Sequence, residues 1–337
     1  MTSIAVIGAG MAGLVCANAL QQAGAAVTVF EKSRGVGGRM ATRRSPVGTF
    51  DHGIAMFEPT SPAFVEVTKQ LVADGILTPW QFEAMYLDGA AFANPTAPST
   101  TCQQTRYVGA PTMNALAKYL ATTLNIQREC KVDNLEQVAG GWRLTQDNQT
   151  FLGEFDWVVL AVPVAQAANF ASVNALFTKL PIHTLQACSV LMLGFDTPLQ
   201  LPWQVAYIEN HAAIEQIIIN SAKPQRLNLP YTTMVVHSTA AWADAHIDAD
   251  KEMSKTHLVA AVGELLGICA QDAPHQDLHH WRYAKPQVVA PTAAHATGFA
   301  AADDHHIALC GDWLLSGDLA SAYLSGQRLA AHLLKSL

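Results

Sequence analysis

Residues 8–13 read Gly8-Ala9-Gly10-Met11-Ala12-Gly13, a Gly-x-Gly-x-x-Gly motif that decides the fold. An apolar run at residues 4–7 precedes the motif, and a helical pattern at residues 12–23 follows it. The first glycine permits a tight turn, the second lets the backbone approach a pyrophosphate, and the third lets helix and strand pack closely. A second apolar strand then ends at Glu31, whose carboxylate can accept both ribose hydroxyls of an adenosine. These features predict a dinucleotide-binding βαβ unit.

The sequence of the loop that follows Glu31 indicates whether the bound dinucleotide is FAD or NAD. It runs from Lys32 to Met40 and places Gly38 beside Arg39. A plain dehydrogenase has no reason to carry such a loop here, whereas FAD proteins of the amine-oxidase type lay a Gly-Gly-Arg loop along the pyrophosphate. The predicted cofactor is therefore FAD, held non-covalently.

Composition limits the class of protein. The chain has 337 residues, a net charge of −7 and a pI near 6, which argues against a nucleic-acid partner. No apolar run reaches 18 residues, and no basic segment precedes residues 4–7, so neither a membrane span nor a signal peptide is predicted. Six scattered cysteines without a Cys-x-x-Cys pair exclude a flavoprotein disulfide reductase and indicate a cytoplasmic protein.

The pattern along the chain predicts an α/β fold in which two domains are interleaved. Apolar runs at residues 157–162 and 307–310 look like further strands of the nucleotide-binding sheet, and five strand-like runs between residues 189 and 283 suggest an antiparallel sheet. We expect a Rossmann-like FAD-binding domain of the glutathione-reductase/amine-oxidase type at 1–56, 106–165 and 296–337. The α+β substrate domain, built on the antiparallel sheet, would occupy 57–105 and 166–295.

Several further segments give the chain a specific resemblance. They are Ser33-Arg34-Gly35 with Arg39, Phe50-Asp51-His52-Gly53, residues 108–116, residues 156–163, Trp281-Arg282-Tyr283-Ala284, and Gly311-Asp312-Trp313 with residues 322–326. Together they resemble the renalase-like branch of the flavin amine oxidase superfamily over nearly the whole chain.

This resemblance implies a set of site residues. Val132 would contact the adenine through its backbone, Asp312 and the Gly311 amide would orient the ribityl or pyrophosphate region, and amides at the start of the last helix would face the N1–C2 edge of the flavin. The predicted cofactor-binding residues are Gly8, Ala9, Gly10, Met11, Ala12, Gly13, Glu31, Lys32, Gly38, Arg39, Met40, Val132, Gly311, Asp312, Ser321 and Ala322. The predicted catalytic residues are His52, Trp281 and Tyr283, with Asn220, Lys223 and Arg226 as weaker candidates for substrate contacts.

Two stretches depart from the pattern of that branch. Residues 54–58 read Ile-Ala-Met-Phe-Glu instead of the usual Ala-Gln-Tyr-Phe-Thr, and residues 318–321 lack an Arg and a Glu expected near the flavin. The 13 histidines include no His-Glu-x-x-His and no ligand set at metal spacing, so no metal site is predicted.

The resemblance implies an oxidase that takes hydride from an isomeric dihydronicotinamide dinucleotide to flavin N5 and passes electrons to O2, giving H2O2. Such a donor becomes aromatic on oxidation and needs little acid–base help. A flavin amine oxidase acting on a small amine is a second hypothesis, and an aromatic hydroxylase is a weaker one. A non-catalytic FAD-binding sensor or partner protein is a further hypothesis, motivated by the two departures.

Overall fold

A six-stranded sheet forms the nucleotide-binding half of the computed structural model, which describes residues 1–89, 100–147, 149–170, 172–173, 184–226, 231–287 and 296–335. Its strands lie in the order β17 (Phe299–Ala302), β18 (Ile307–Cys310), β11 (Trp157–Leu160), β1 (Ser3–Ile7), β2 (Ala26–Glu31) and β7 (Asn125–Arg128). All are parallel except the edge strand β17. Apolar residues cover both faces of the central strands, as buried parallel strands require.

Seven described helices accompany the sheets: α1 (Met11–Gln22), α2 (Pro62–Ala73), α3 (Ala115–Ala121), α4 (Val164–Ala167), α5 (Ala240–His246), α6 (Lys251–Leu266) and α7 (Leu319–Leu333). Helices α1 and α7 pack on one face of the six-stranded sheet, and a three-stranded sheet of β8 (Asn134–Val138), β9 (Gly141–Gln146) and β10 (Thr150–Phe155) covers the other. In the described part of the chain, no helix combines the length and apolar character needed to cross a membrane.

Glycines allow α1 to approach its neighbours closely. A Cβ at Gly13 would lie 2.1 Å from the carbonyl oxygen of Gly8, and a Cβ at Gly326 would lie 2.3 Å from that of Ala12. The first contact brings α1 against the turn after β1, and the second brings α7 against α1. The start of α1 is thereby held near the edge of the sheet at which the parallel strands end, with the middle of α7 packed against it.

A seven-stranded sheet forms the other half. Its order is β16 (His275–Gln287), β12 (Thr184–Phe195), β15 (Thr232–Ser238), β14 (Ile214–Ile219), β13 (Val205–Glu209), β5 (Leu77–Asp88) and β6 (Thr100–Gly109), antiparallel except for the β13–β5 pair. Side chains alternate between its faces. One face, with Leu191, Ile217 and Val236, packs on α5 and α6. The opposite face points towards the ribbon of β3 (Arg43–Ser45) and β4 (Gly48–Phe50) and towards the nucleotide-binding half.

The predicted fold class is confirmed, including the antiparallel sheet. Two elements do not follow the predicted division of the chain. Strand β6 pairs within the large sheet as far as Gly109, beyond the boundary expected at residue 105. Helix α2, expected in the substrate domain, packs Phe64 and Leu71 into the core around α1. The domain boundaries themselves stay a prediction.

A buried ionic network connects the two halves at Asp51. Its carboxylate accepts hydrogen bonds from the Thr42 hydroxyl at 2.7 Å, the Met113 amide at 3.0 Å, Lys223 Nζ at 2.8 Å and an Arg226 guanidinium nitrogen at 2.7 Å. Burial acts to raise the pKa of Asp51, but the charges of Lys223 and Arg226 hold that pKa well below its usual range. Burial also lowers the pKa of Lys223 to about 8.

We predict that Asp51→Asn lowers the free energy of unfolding by about 3–5 kcal/mol, because it leaves two buried cations without a counter-ion. Denaturant unfolding followed by circular dichroism measures this. The matched control is Asp248→Asn, in an exposed pair with Arg282, which should change stability by less than about 1 kcal/mol. Equal effects of the two substitutions would contradict the role given to Asp51.

Candidate active site

A cavity of about 670 Å³ lies where the parallel strands of the six-stranded sheet end. Four loops line it, and each directly follows the carboxyl end of β1, β2, β11 or β18. This edge is where open α/β sheets bind their ligands. The volume is in the range of sites for organic ligands and cofactors.

The glycine turn and Glu31 form one end of this cavity. Gly8 has a φ of +106°, a left-handed conformation that favours glycine, and its amide donates to the carbonyl of Phe30 at 2.8 Å. The buried Glu31 carboxylate accepts from the amides of Ala9 at 2.9 Å and Ser33 at 2.8 Å, one on each oxygen. A Cβ at Gly10 would meet no atom within 4 Å, so open space lies against the backbone where a pyrophosphate is expected. The lone pairs that Glu31 does not use here can accept ribose hydroxyls.

Arg39 connects separate parts of the cavity lining. One guanidinium nitrogen donates to the carbonyl of Ala284 at 2.7 Å, and another forms an ion pair of 2.5 Å with Asp312. This links the loop after β2, the end of β18 and the large sheet. The Gly311 amide, predicted to help orient the cofactor, donates to the Ser325 hydroxyl at 2.8 Å, and Gly311 lines the cavity.

The N-terminus of α7 is capped by its own chain. The Asp318 carboxylate accepts from the Ser321 amide at 2.7 Å, and the Ala322 amide donates to the Asp318 carbonyl at 3.1 Å. The amides of Ser321 and Ala322 therefore have partners within the chain, and their contact with the flavin stays a prediction. Leu319 and Ala322 line the cavity through other atoms.

Most predicted cofactor residues line this cavity. They are Gly8, Gly10, Met11, Ala12, Glu31, Lys32, Gly38, Arg39, Met40, Val132, Gly311, Asp312 and Ala322. Ala9, Gly13 and Ser321 do not: Ala9 binds Glu31, Gly13 packs against Gly8, and Ser321 pairs with Asp318 and Ser316. No described residue hydrogen-bonds to the backbone of Val132, which leaves its N–H and C=O available to an adenine edge.

A second cavity of about 310 Å³ adjoins the first. Arg39, Ile54 and Trp281 line both cavities and form the wall between them. The whole departing stretch at residues 54–58 lines the second cavity. The rest of its lining is Gly53, Arg106, Cys188, Val190, Gln216, His237, Ala284 and Lys285.

The predicted catalytic residues take different positions. Trp281 lies in the shared wall, and its indole N–H donates to the His52 carbonyl at 2.7 Å. Tyr283 lines the first cavity. His52 lines neither cavity; its ring stacks on Trp281 with centroids 5.5 Å apart and meets His279 edge-on. Burial and the nearby Arg43 lower the pKa of His52. It can position Trp281, but it does not touch a ligand in either cavity.

Asn220, Lys223 and Arg226 line neither cavity. Lys223 and Arg226 bind Asp51, and the Asn220 amide donates to the Thr49 carbonyl at 2.7 Å. Their prediction as substrate contacts is wrong, because these polar groups are needed to compensate one another inside the protein.

Each cation that lines the second cavity has a carboxylate partner, including Arg39 with Asp312. Arg106 lies 3.5 Å from the exposed Glu58, and Lys285 pairs with Glu215 beside the cavity. Burial raises the pKa of the Cys188 thiol to about 12, so this cysteine stays protonated. Within the ranges that the structure describes, no group of three or more potential ligands is arranged to hold a metal ion.

The first cavity suits a dinucleotide, judged by its donor set. It combines an acid placed for ribose hydroxyls, an open space at Gly10, free backbone groups at Val132, and the Arg39–Asp312 pair. Its extension to Trp281 leaves room for a planar ring beside the second cavity. Residues of both halves are needed to complete it.

Comparison with known proteins identifies the family. A family model for flavin containing amine oxidoreductase matches residues 72–334, and one for an NAD(P)-binding Rossmann-like domain matches residues 6–71. Putrescine oxidase, solved with putrescine bound, is 14% identical with a TM-score of 0.72 and a match covering 99% of each chain. The same values hold for cyclohexylamine oxidase from Brevibacterium oxydans IH-35A. A protein assigned as a protoporphyrinogen oxidase, from Exiguobacterium sp. 255-15, is 13% identical with a TM-score of 0.75, covering 100% of this chain and 99% of that one.

At such identities the solved structures show a shared fold, whereas the family model covers most of the chain and bears on its chemistry. The family model and the cavity together identify FAD as the cofactor and the protein as an FAD-dependent oxidoreductase. The chain belongs to the flavin-containing amine oxidoreductase family.

Proposed function

We propose that this protein is a renalase-like oxidase whose substrate is a dihydronicotinamide dinucleotide of the 1,2- or 1,6-dihydro type. The observation that carries the proposal is the second cavity, which shares Trp281 with the FAD cavity and has three cationic side chains in its lining. Each of them has a carboxylate partner: Arg39 pairs with Asp312, Arg106 with Glu58 and Lys285 with Glu215.

Arg106 and Lys285 offer charge-assisted hydrogen-bond donors, which the pyrophosphate of a dinucleotide can accept in place of Glu58 and Glu215. Arg106 and Lys285 keep partly exposed side chains, so they can meet the part of a dinucleotide that extends beyond the cavity.

The chemistry asks little of the protein beyond positioning. Bound FAD would supply the hydride acceptor and the route for electrons to O2, with H2O2 as the second product. Because the oxidised nicotinamide ring is aromatic, no strong base is required, and the second cavity supplies none. Trp281, fixed through its N–H on the His52 carbonyl, would present a rigid face beside the reacting rings.

For the cofactor we propose the roles that the cavity geometry supports. Glu31 would accept the ribose hydroxyls, Gly10 would let the pyrophosphate approach the backbone, and Val132 would meet the adenine. Arg39 and Asp312 would hold the centre of the molecule. A cytoplasmic location, inferred from the scattered cysteines, also stays a proposal.

A flavin amine oxidase is the second candidate. Phe57, Glu58 and Trp281 line the second cavity and supply aromatic and acidic groups of the kind that an amine substrate needs. The exposed position of Glu58 and its pairing with Arg106 weaken that acidic contribution.

We predict that Glu31→Ala weakens FAD binding about 10- to 100-fold, since it removes hydrogen bonds to a charged acceptor. Fluorescence titration of flavin-free protein with FAD measures this. The control is Asp156→Ala, whose carboxylate accepts from the Ser3 amide at 2.7 Å at the opposite end of the same sheet. Unchanged FAD affinity in the Glu31 variant would refute the role of that residue.

We also predict that isomeric dihydronicotinamide dinucleotides bleach the flavin absorbance under anaerobic conditions much faster than either 1,4-NAD(P)H or amines do. Stopped-flow spectroscopy of the FAD-bound protein measures the rates, and admission of air should restore the spectrum and yield H2O2. Bleaching by amines alone would establish the second candidate instead. Absence of bleaching by every compound would favour a non-catalytic FAD protein.

A further inference from the structure

Two polar side chains interrupt an otherwise apolar face of the large sheet. Gln216 on β14 and His237 on β15 are direct cross-strand partners, so both side chains lie on the same face. The next row on that face consists of Met192, Val235 and Ile218, all fully buried. Both polar residues line the second cavity. The two residues therefore form a polar patch on an otherwise apolar face of the sheet.

His237 has an unsatisfied hydrogen-bonding atom. Its Nε2 is buried, and no described residue lies within hydrogen-bonding distance of it. A buried polar atom without a partner costs stability, and such atoms in native proteins commonly have a ligand or water as their missing partner. His237 lines the cavity, so a bound molecule can contact its ring. Contact with Nε2 itself requires the ring to turn, because that atom has almost no exposed surface.

The imidazole of His237 is neutral. Burial and the positive charges of Lys285 and Lys223 lower the pKa of His237 to about 3. A neutral imidazole has one donor nitrogen and one acceptor nitrogen. The amide of Gln216 likewise offers a donor and an acceptor. The pair can therefore satisfy a neutral group that itself has one N–H donor and one carbonyl acceptor.

We propose that His237 and Gln216 bind the carboxamide of the nicotinamide ring and make the protein selective for it. This inference rests on the proposed function, because it assigns a subsite to that substrate. Whichever ring nitrogen of His237 carries the proton, the carboxamide N–H₂ meets an acceptor and its C=O meets a donor. Arg106 and Lys285 would bind the charged pyrophosphate, and His237 and Gln216 on the sheet would bind the nicotinamide ring.

A matched pair of dinucleotides tests the proposal. NAD⁺ and its 3-acetylpyridine analogue differ only in the replacement of the amide NH₂ by a methyl group. A site built to pair with that NH₂ should reject the analogue, since an acceptor would stay buried without a partner. We expect the wild-type, FAD-bound protein to bind NAD⁺ at least about tenfold more tightly than the analogue in calorimetric titrations. The 1,2- and 1,6-dihydro forms of the two dinucleotides, with the amide and the ketone intact, should show the same preference in kcat/KM.

Variants assign this preference to residues. His237→Phe and Gln216→Leu should reduce the preference to within about threefold, and His237→Asn should restore part of it because Asn keeps a donor and an acceptor. His275→Phe is the control: its Nε2 is also buried and unpaired among the described residues, but it stacks on Phe50 and lines neither cavity. It should keep the wild-type preference.

The outcomes distinguish two failures. If the wild-type protein binds no nicotinamide dinucleotide and is reduced by none, the proposed function fails and this inference fails with it. If the wild-type protein is reduced but His237→Phe, with a normal flavin spectrum and melting temperature, keeps the full preference for the amide, only the present inference is overturned.

Discussion

The carboxylate of Asp51 accepts four hydrogen bonds inside the protein, and the position of the active-site wall depends on them. Two of the donors are cations on the segment after β14, and the others are the Thr42 hydroxyl and the Met113 amide. His52 follows Asp51 directly, and its carbonyl holds the indole of Trp281. The same ions that attach the large sheet to the FAD-binding half therefore also set the tryptophan between the two cavities. Buried ions are costly when unpaired, so the arrangement resists small displacements.

The nucleotide-binding part of the site could be predicted from the sequence because its geometry is local. The turn at Gly8, the close packing at Gly13 and the acid at Glu31 lie within one βαβ unit, in which spacing along the chain determines position in space. Resemblance extended this reasoning to Arg39 and Asp312, which are far apart in sequence and form an ion pair in the fold. A site formed mainly by backbone groups requires glycines at fixed spacing, and these glycines are easily recognised in the sequence.

The second cavity could not be predicted in the same way. Arg106, Cys188, Gln216, His237 and Lys285 come from five different strands, and only the register between those strands brings them together. The sequence did contain a weak signal. Gln216 and His237 are polar residues in largely apolar strands, and each has an apolar core residue two positions away on the same face of the sheet. Without the register, however, neither residue could be assigned to a cavity face.

The two departures from the renalase-like pattern have unequal consequences for this reason. At the start of α7, Asp318 occupies amides that the pattern suggested for the flavin, yet the cavity keeps its glycine turn, its acid and its arginine. Residues 54–58, in contrast, form a continuous part of the second cavity and place Glu58 opposite Arg106. A site made of backbone groups tolerates substitution, because the replaced side chains contribute little to it. A site made of side chains does not, so a change at residues 55–58 alters what the second cavity admits, whereas Ile54 lines both cavities.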